Sequence, residues 1–328
     1  MTKRRGINLD IIDTPKQLAD LVDWIIHVHS DWRYEPALYI DLEGVNLCRE
    51  GSISILTLAV DNGIPTMYVA LIDVSTLGHL AFDTAGSKLK SLKQSLRTIL
   101  EDSKIPKVFF DVRNDSDALF AHYGIAMQGV EDVQLMESAT RTTTESRRFL
   151  NGLNKCVEDN RVHVEIDGGI DRTRWTQAKA EGERLFKAER GGSYEVFNIR
   201  PVPKAIMDYC AGDVQCLPAL YRGYRSRTNT KWQDLVKNVS QQRVIDSQLP
   251  GYQSHGQHQA LAPWSAEHNK LLDEWNYKPT RGYFDDDMDN DMDNDMDDDI
   301  YGDDWDDDQE SGYDFEDWTR CEWQGPPS

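Results

Sequence analysis

No run in this 328-residue sequence approaches the ~18–20 consecutive apolar residues that a membrane-spanning helix needs, so a bilayer-embedded chain is not expected. Cysteine is scarce and scattered. Its five positions, Cys48, Cys156, Cys210, Cys216 and Cys321, contain no C-x-x-C pair, which argues against a disulfide scaffold and against a zinc ribbon. The basic opening Lys3-Arg4-Arg5 has no apolar stretch behind it, so it does not read as a secretory signal. An intracellular protein is expected, and both nucleus and cytoplasm suit it. Hydrophobic residues make up 39%, below the usual ~45–50%, a tally that includes glycine, and part of the difference has a local cause.

That cause is the C-terminal end. From Asp285 onward there are 20 acidic residues and one basic residue, Arg320. The remaining 284 residues carry 37 acids against 35 bases, so a formal charge of −21 hides a near-neutral body. A tract of Asp, Asn and Met repeats cannot bury enough surface to offset its ordering entropy, and 285–328 is read as a disordered acidic tail. Such a tail suits a basic protein partner or the chain's own basic face. The rest divides into an N-terminal arm over 1–13, a domain over 14–225 and a partly helical extension over 226–284.

Within the domain, Thr14-Pro15 opens a helix to about residue 30, with Leu18, Leu21, Val22, Ile25 and Ile26 at helical spacing. Strands are expected at 37–40, 52–60 and 66–72, the last two paired as a hairpin across Asp61-Asn62-Gly63. A helix over 87–100, a strand over 107–110 and a helix over 116–123 stopped by Gly124 follow. Helices then dominate: 133–140, 150–157, 172–189, 203–221, one within 222–249, and 265–278. Three successive strands followed by alternating helix and strand indicate an α/β or α+β domain with a mixed sheet.

Four features carry chemistry. Asp41 and Glu43 end the first of these strands, and a period of two puts both carboxylates on one side. Hard divalent cations prefer such oxygens; a solvent-facing strand edge is the competing reading. Asp115 stands where a buried strand turns into a helix, as a site acid or as a helix cap. Tyr209 and Asp213, four apart on a helix, share one face. There the phenol could orient a metal-bound water beside an aspartate that holds the cation, or the pair could be a half-buried tyrosine and an exposed acid.

Taken in order, these motifs resemble the ribonuclease D-like 3′–5′ exonucleases, the tyrosine branch of the DEDD superfamily. Asp41-Leu-Glu43-Gly44 matches the first motif, Lys107 through Asp115 to Tyr123-Gly124 the second, and Tyr209 through Asp213-Val214 the third. Trp175 to Lys187, Gly191-Gly192-Ser193-Tyr194 and Arg200-Pro201-Val202-Pro203 also resemble a fungal-type subgroup. The resemblance implies an RNase H-like fold with a mixed central sheet, three antiparallel strands then parallel ones, flanked by helices. It implies two divalent cations, Mg2+ or Mn2+. Asp41, Glu43 and Asp213 would hold one, and Asp41 would bridge to the second near Asp115. Tyr209 would position the attacking water, and Glu43 would lie close to the terminal 3′ hydroxyl. The implied partner is RNA or DNA with a free 3′ end, cut to nucleoside 5′-monophosphates. The alternative is an inactive exonuclease-fold adaptor that binds RNA or protein. One departure stands out: Asp111, an extra acid before Asp115, could disturb the second cation.

Several remaining signals are weaker. Lys179, Arg184, Lys187, Arg222, Arg225 and Arg227 either track a phosphate backbone or form solvated helix faces. His255 and His258 lie in a glycine-rich segment and read as a plain loop rather than a metal pair. Cys210 and Cys216 read as buried thiols. Residues 297–308 fail as an EF-hand, because Tyr301 takes a ligand position and Asp308 replaces the closing glutamate.

Overall fold

A computed structural model describes residues 6–31, 38–61, 66–88, 91, 93–159, 172–228 and 230–276. The acidic tail and the Asn62-Gly63 turn lie outside these residues. The chain begins with strand β1 (Gly6–Ile12), helix α1 (Pro15–Asp31), β2 (Leu38–Glu43), β3 (Ile55–Val60) and β4 (Thr66–Asp73). Two single-turn helices, α2 (Val74–Leu77) and α3 (Leu80–Asp83), precede α4 (Leu96–Glu101). Then come β5 (Lys107–Phe109), α5 (Arg113–Tyr123), β6 (Val130–Asp132) and α6 (Val133–Ala139). The remainder is helical: α7 (Leu153–Glu158), α8 (Arg172–Phe186), α9 (Lys204–Gln215), α10 (Leu217–Arg225), α11 (Thr230–Ser247) and α12 (Ala266–Asn276). Among the described residues, no helix is long and apolar enough to cross a membrane.

The six strands form one sheet in the order β1-β4-β3-β2-β5-β6. β2, β3 and β4 pair antiparallel, while β5 and β6 continue from β2 in parallel. This is the mixed α/β sheet that the sequence suggests, with one addition. The arm contributes edge strand β1, parallel to β4 from Gly6↔Thr66 to Ile12↔Ile72. Its Ile7, Leu9 and Ile11 pack on one core while Ile12 is buried in the other.

Each face of the sheet carries its own core. One packs on α1, α4 and α5 through residues such as Leu18, Ile25, Leu96, Ile99 and Leu119. The other, under the C-terminal helices, gathers Tyr39, Ala59, Trp175, Phe197, Ile206, Tyr221 and Trp232. On β2, Leu38, Ile40 and Leu42 enter the first core and Tyr39 the second. Asp41 and Glu43, in step with Tyr39, therefore face α9.

The helix expected over 87–100 is a correction: only Leu96–Glu101 is helical. Ser95 starts it with a capping box shared with Thr98. Upstream, Asp23 of α1 accepts from Ser87 Oγ (2.6 Å), the Lys88 amide (3.1 Å) and Ser91 Oγ, side-chain bonds that compete with a regular helix. Leu89 and Leu92 lie outside the described residues. The helix expected over 203–221 divides at Cys216, where α10 begins with Pro218 in its first turn.

The extension is built into the fold. Helix α11 buries Trp232, Val236, Ser240 and Arg243. Arg243 Nη1 donates to Asp132 Oδ2 at 2.7 Å and to Gln134 Oε1 at 3.0 Å. Asp132 in turn accepts from the Asp111 and Val112 amides at 3.0 and 3.2 Å, fixing the turn from β5 into α5. Because Asp132 is fully buried, Arg243→Met strands its charge. The variant should lose about 3–5 kcal/mol of unfolding free energy in urea titrations; a loss within 0.5 kcal/mol, roughly that of a neutral surface change, would show that Asp132 does not depend on Arg243.

Candidate active site

Three carboxylates meet where the end of β2 faces α9. One oxygen each from Asp41, Glu43 and Asp213 lies within 4.8 Å of the others. Like charges at such a separation repel by roughly 3 kcal/mol per pair at an effective dielectric near 20. The chain holds them there with backbone. Asp41 pairs with Thr57 and Glu43 with Ile55 in the ladder, and the Ser54 amide donates to the Glu43 carbonyl at 2.8 Å. After Glu43 the strand must pass the Ser52 carbonyl closely. A Cβ on Gly44 would stand 1.9 Å from that oxygen, which explains the glycine.

Burial first, and then the Asp213 carboxylate, push Asp41 up to about 8. Burial, Asp41 and Asp213 likewise hold Glu43 well above the usual carboxylate range. Asp41 Oδ2 is buried with no hydrogen-bond partner. A buried acceptor in that state costs on the order of 1–3 kcal/mol, and an oxygen-seeking cation is the partner that this donor set fits.

Among the described residues, Lys179 brings positive charge to the cluster. Lys179 of α8 donates from Nζ to Asp213 Oδ1 at 2.6 Å and lies over the Trp175 and Tyr209 rings, 5.4 and 5.0 Å from their centroids. Trp175 Nε1 donates to the Gly212 carbonyl at 3.0 Å, clasping α8 to α9 beside Asp213. Lys179, a candidate phosphate contact by sequence, is a half-buried counter-ion of the acid cluster. The signal was its spacing, since Trp175, Lys179, Gly182 and Phe186 form one stripe on α8.

Tyr209 and Asp213 share a face of α9 as their spacing predicts. Tyr209 packs edge-on to Phe186, with centroids 5.1 Å apart. At Gly182 the two helices approach so closely that a Cβ would stand 2.5 Å from Tyr209 Cβ. Burial, then Asp213 and Glu43, raise the phenol well above its ordinary value, so its hydroxyl keeps its proton.

Asp115 is buried in the first turn of α5, but the N-cap residue is Val112. It does not join the three-carboxylate group, yet the two charges feel each other: burial and then Asp41 raise Asp115. Asp111 is answered locally. Arg113 donates to both its oxygens at 2.6 Å, and Arg243 lies 3.6 Å away. Burial alone would raise Asp111; these arginines hold it below the usual range. Its backbone adopts a left-handed φ of 60°.

Most of the other basic candidates are engaged within the fold. Lys187 pairs with Glu183 at 3.0 Å, Arg222 with Asp61 at 2.8 Å, and Arg225 donates to the Tyr221 hydroxyl at 2.6 Å. Arg184 and Arg227 are exposed. His255 Nε2 lies 2.8 Å from Asn46 Oδ1 and His258 Nε2 3.2 Å from the Gln253 carbonyl. Cys210 and Cys216 are buried thiols.

Residues 11–226 match the family described as 3′–5′ exonuclease. Among curated proteins, the chain is similar to piRNA biogenesis protein EXD1 of Homo sapiens, 33% identical over 188 residues, covering 57% of this chain and 31% of that protein. The Mus musculus protein of the same name is 34% identical over 133 residues, 40% and 20% of the two chains. The chain thus spans less than a third of the length of these relatives. Among solved structures, Trypanosoma brucei RNase D in complex with GMP aligns at a TM-score of 0.58 with 22% identity, covering 81% of this chain and 71% of that one. The same protein in complex with RNA U12 aligns at 0.53 with 20% identity, covering 82% and 78%. These structures share the fold.

The acid cluster makes the fold pH-sensitive in a direction that can be worked out. Below about pH 4 Asp41 is protonated in both folded and unfolded states. Between there and about 8 only the folded state keeps the proton, so stability falls as pH rises. In EDTA, the melting temperature of wild type minus that of Asp41→Asn should therefore decline from pH 5 to pH 8. A difference that stays constant or grows with pH would contradict the crowding of these carboxylates.

Proposed function

We propose that this chain, which belongs to the 3′–5′ exonuclease family, is a metal-dependent hydrolase of the terminal phosphodiester of RNA or DNA, releasing nucleoside 5′-monophosphates. The observation that carries this reading is the meeting of Asp41, Glu43 and Asp213 around a buried, unpartnered Asp41 oxygen, with the Tyr209 phenol on the same helix face as Asp213. RNA and GMP in the complexes of the T. brucei protein support a nucleic-acid substrate.

When bound, two divalent cations, Mg2+ or Mn2+, would supply charge stabilisation of both the attacking and the departing oxygen. Asp41, Glu43 and Asp213 are the ligands proposed for one, with Asp41 shared toward a second beside Asp115. Lys179 engages only Oδ1 of Asp213, which leaves the second oxygen available. Tyr209, kept protonated by its buried, acidic surroundings, positions the attacking water through its hydroxyl. The water oxygen loses a proton to solvent and forms the new bond to the terminal phosphorus, and the bond to the 3′ oxygen of the preceding nucleotide breaks, that oxygen taking up a proton to become a hydroxyl. Glu43 is the residue proposed to recognise the terminal 3′ hydroxyl. Asp111 is engaged by Arg113 and lies near Arg243, so it is not proposed as a ligand of the second cation.

The rival reading, an exonuclease-fold adaptor without catalysis, separates in one assay. A 3′-labelled oligonucleotide should yield labelled mononucleotide with Mg2+ or Mn2+, and EDTA should stop it. Asp41→Asn should abolish release, and Tyr209→Phe should lower kcat by about 10²-fold or more with KM nearly unchanged. Oligonucleotide binding without release at any metal concentration would favour the adaptor; wild-type rates in Asp41→Asn would sink the metal assignment.

A further inference from the structure

The region matching the exonuclease family ends at residue 226, but the chain returns to the site beyond it. After α11, residues 248–262 cross the loop that follows β2. Arg49 in that loop binds the crossing, donating from Nη2 to the Ser247 and Leu249 carbonyls at 2.8 and 2.9 Å. Its Nε pairs with Asp117 of α5 at 2.7 Å. Further on, the Tyr252 hydroxyl donates to Asn114 Oδ1 at 2.7 Å, one residue from Asp115, and His255 reaches Asn46 at 2.8 Å. Arg113 holds the Gln259 carbonyl at 3.0 Å. The segment is thus fastened both to the loop leaving Glu43 and to the turn carrying Asp115.

Between these fastenings lies a cavity of about 820 Å³, within the roughly 300–1,000 Å³ of small-molecule sites. Its walls come from three places: Asn46 and Glu50 of the loop, Glu195 and Asn198 of the 3-10 turn Tyr194–Asn198, and Tyr252 and Gln253 of the extension, with His255 beside them. Among the described residues, no lysine or arginine lines it. Two carboxylates and no cation disfavour a phosphate group. Amides, a phenol, an imidazole and carboxylates suit hydroxyls, ring nitrogens and exocyclic amines.

We propose that this cavity is a nucleoside subsite: the extension supplies the wall that receives the base and sugar of a nucleotide at the substrate's 3′ end, while the phosphodiester stays at the acid cluster. The proposal rests on the nuclease reading above and adds recognition by residues outside the matched domain. The test uses the full chain in EDTA, where binding is read without cleavage. A fluorescent RNA trinucleotide with a free 3′ hydroxyl is titrated by anisotropy against wild type, Gln253→Ala and the double variant Gln253→Ala/His255→Ala. Gln253 is exposed, so its single variant keeps the fold even if the double variant does not. Affinity should fall about 3-fold in the single variant and 10-fold or more in the double. Adenosine should displace the trinucleotide from wild type better than inorganic phosphate does. Equal affinities in wild type and the single variant, absence of wild-type binding, or displacement by phosphate ahead of adenosine would each overturn the subsite. Cleavage by wild type is scored separately, so an active enzyme with equal affinities sinks the subsite alone. An inactive one that binds and discriminates sinks only the catalytic reading.

Discussion

Repulsion among Asp41, Glu43 and Asp213 is the constraint around which the rest is arranged. Carboxylates this close do not come together by themselves. Two rigid elements force the meeting: a strand paired with β3 along its whole length and with β5 at its start, and a helix pressed onto the same sheet face. The cost is met in part by Lys179, whose ammonium is held by Asp213 below and two aromatic rings beside it. One ammonium against three carboxylates leaves the cluster short of positive charge, and Asp115 adds to the deficit from a little further away. Pushing pKa values upward is the metal-free answer to that deficit; binding divalent cations is the other.

The support behind the cluster reaches well past the matched domain. Arg243 of α11 answers Asp132, and Asp132 holds the two amides that turn β5 into α5. Arg49 ties the loop after β2 to both α5 and the end of α11. The placement of Asp115 relative to Asp41 thus depends on side chains more than 100 residues away. Such buried pairs contribute little net stability once desolvation is counted, but breaking one is expensive. Their evident effect is to fix geometry.

What could be read from the sequence followed periodicity. The alternation along β2 gave the common side of Asp41 and Glu43, and the four-residue step on α9 gave that of Tyr209 and Asp213. The same rule, applied further, exposes what was missed. Ile7, Leu9 and Ile11 alternate with Asn8 and Asp10, a strand signal inside what reads as an arm. Lys179 lies on the buried stripe of α8, and Arg243 on that of α11 with Val236 and Ser240. A charge in an apolar stripe signals burial with a partner, but the partner's identity is a tertiary fact. The failed helix at 87–95 has the same root: Leu89 and Leu92 have helical spacing, yet Asp23, over 60 residues earlier, claims Ser87 and Ser91.

If the carboxylate cluster exists to hold catalytic cations, Mn2+ should go there. Crystals of the full chain soaked in Mn2+ and measured at the manganese edge should show an anomalous peak bounded by Asp41, Glu43 and Asp213, and a second between Asp41 and Asp115. No peak at Asp41 under millimolar Mn2+, or manganese found only elsewhere on the chain, would contradict the account.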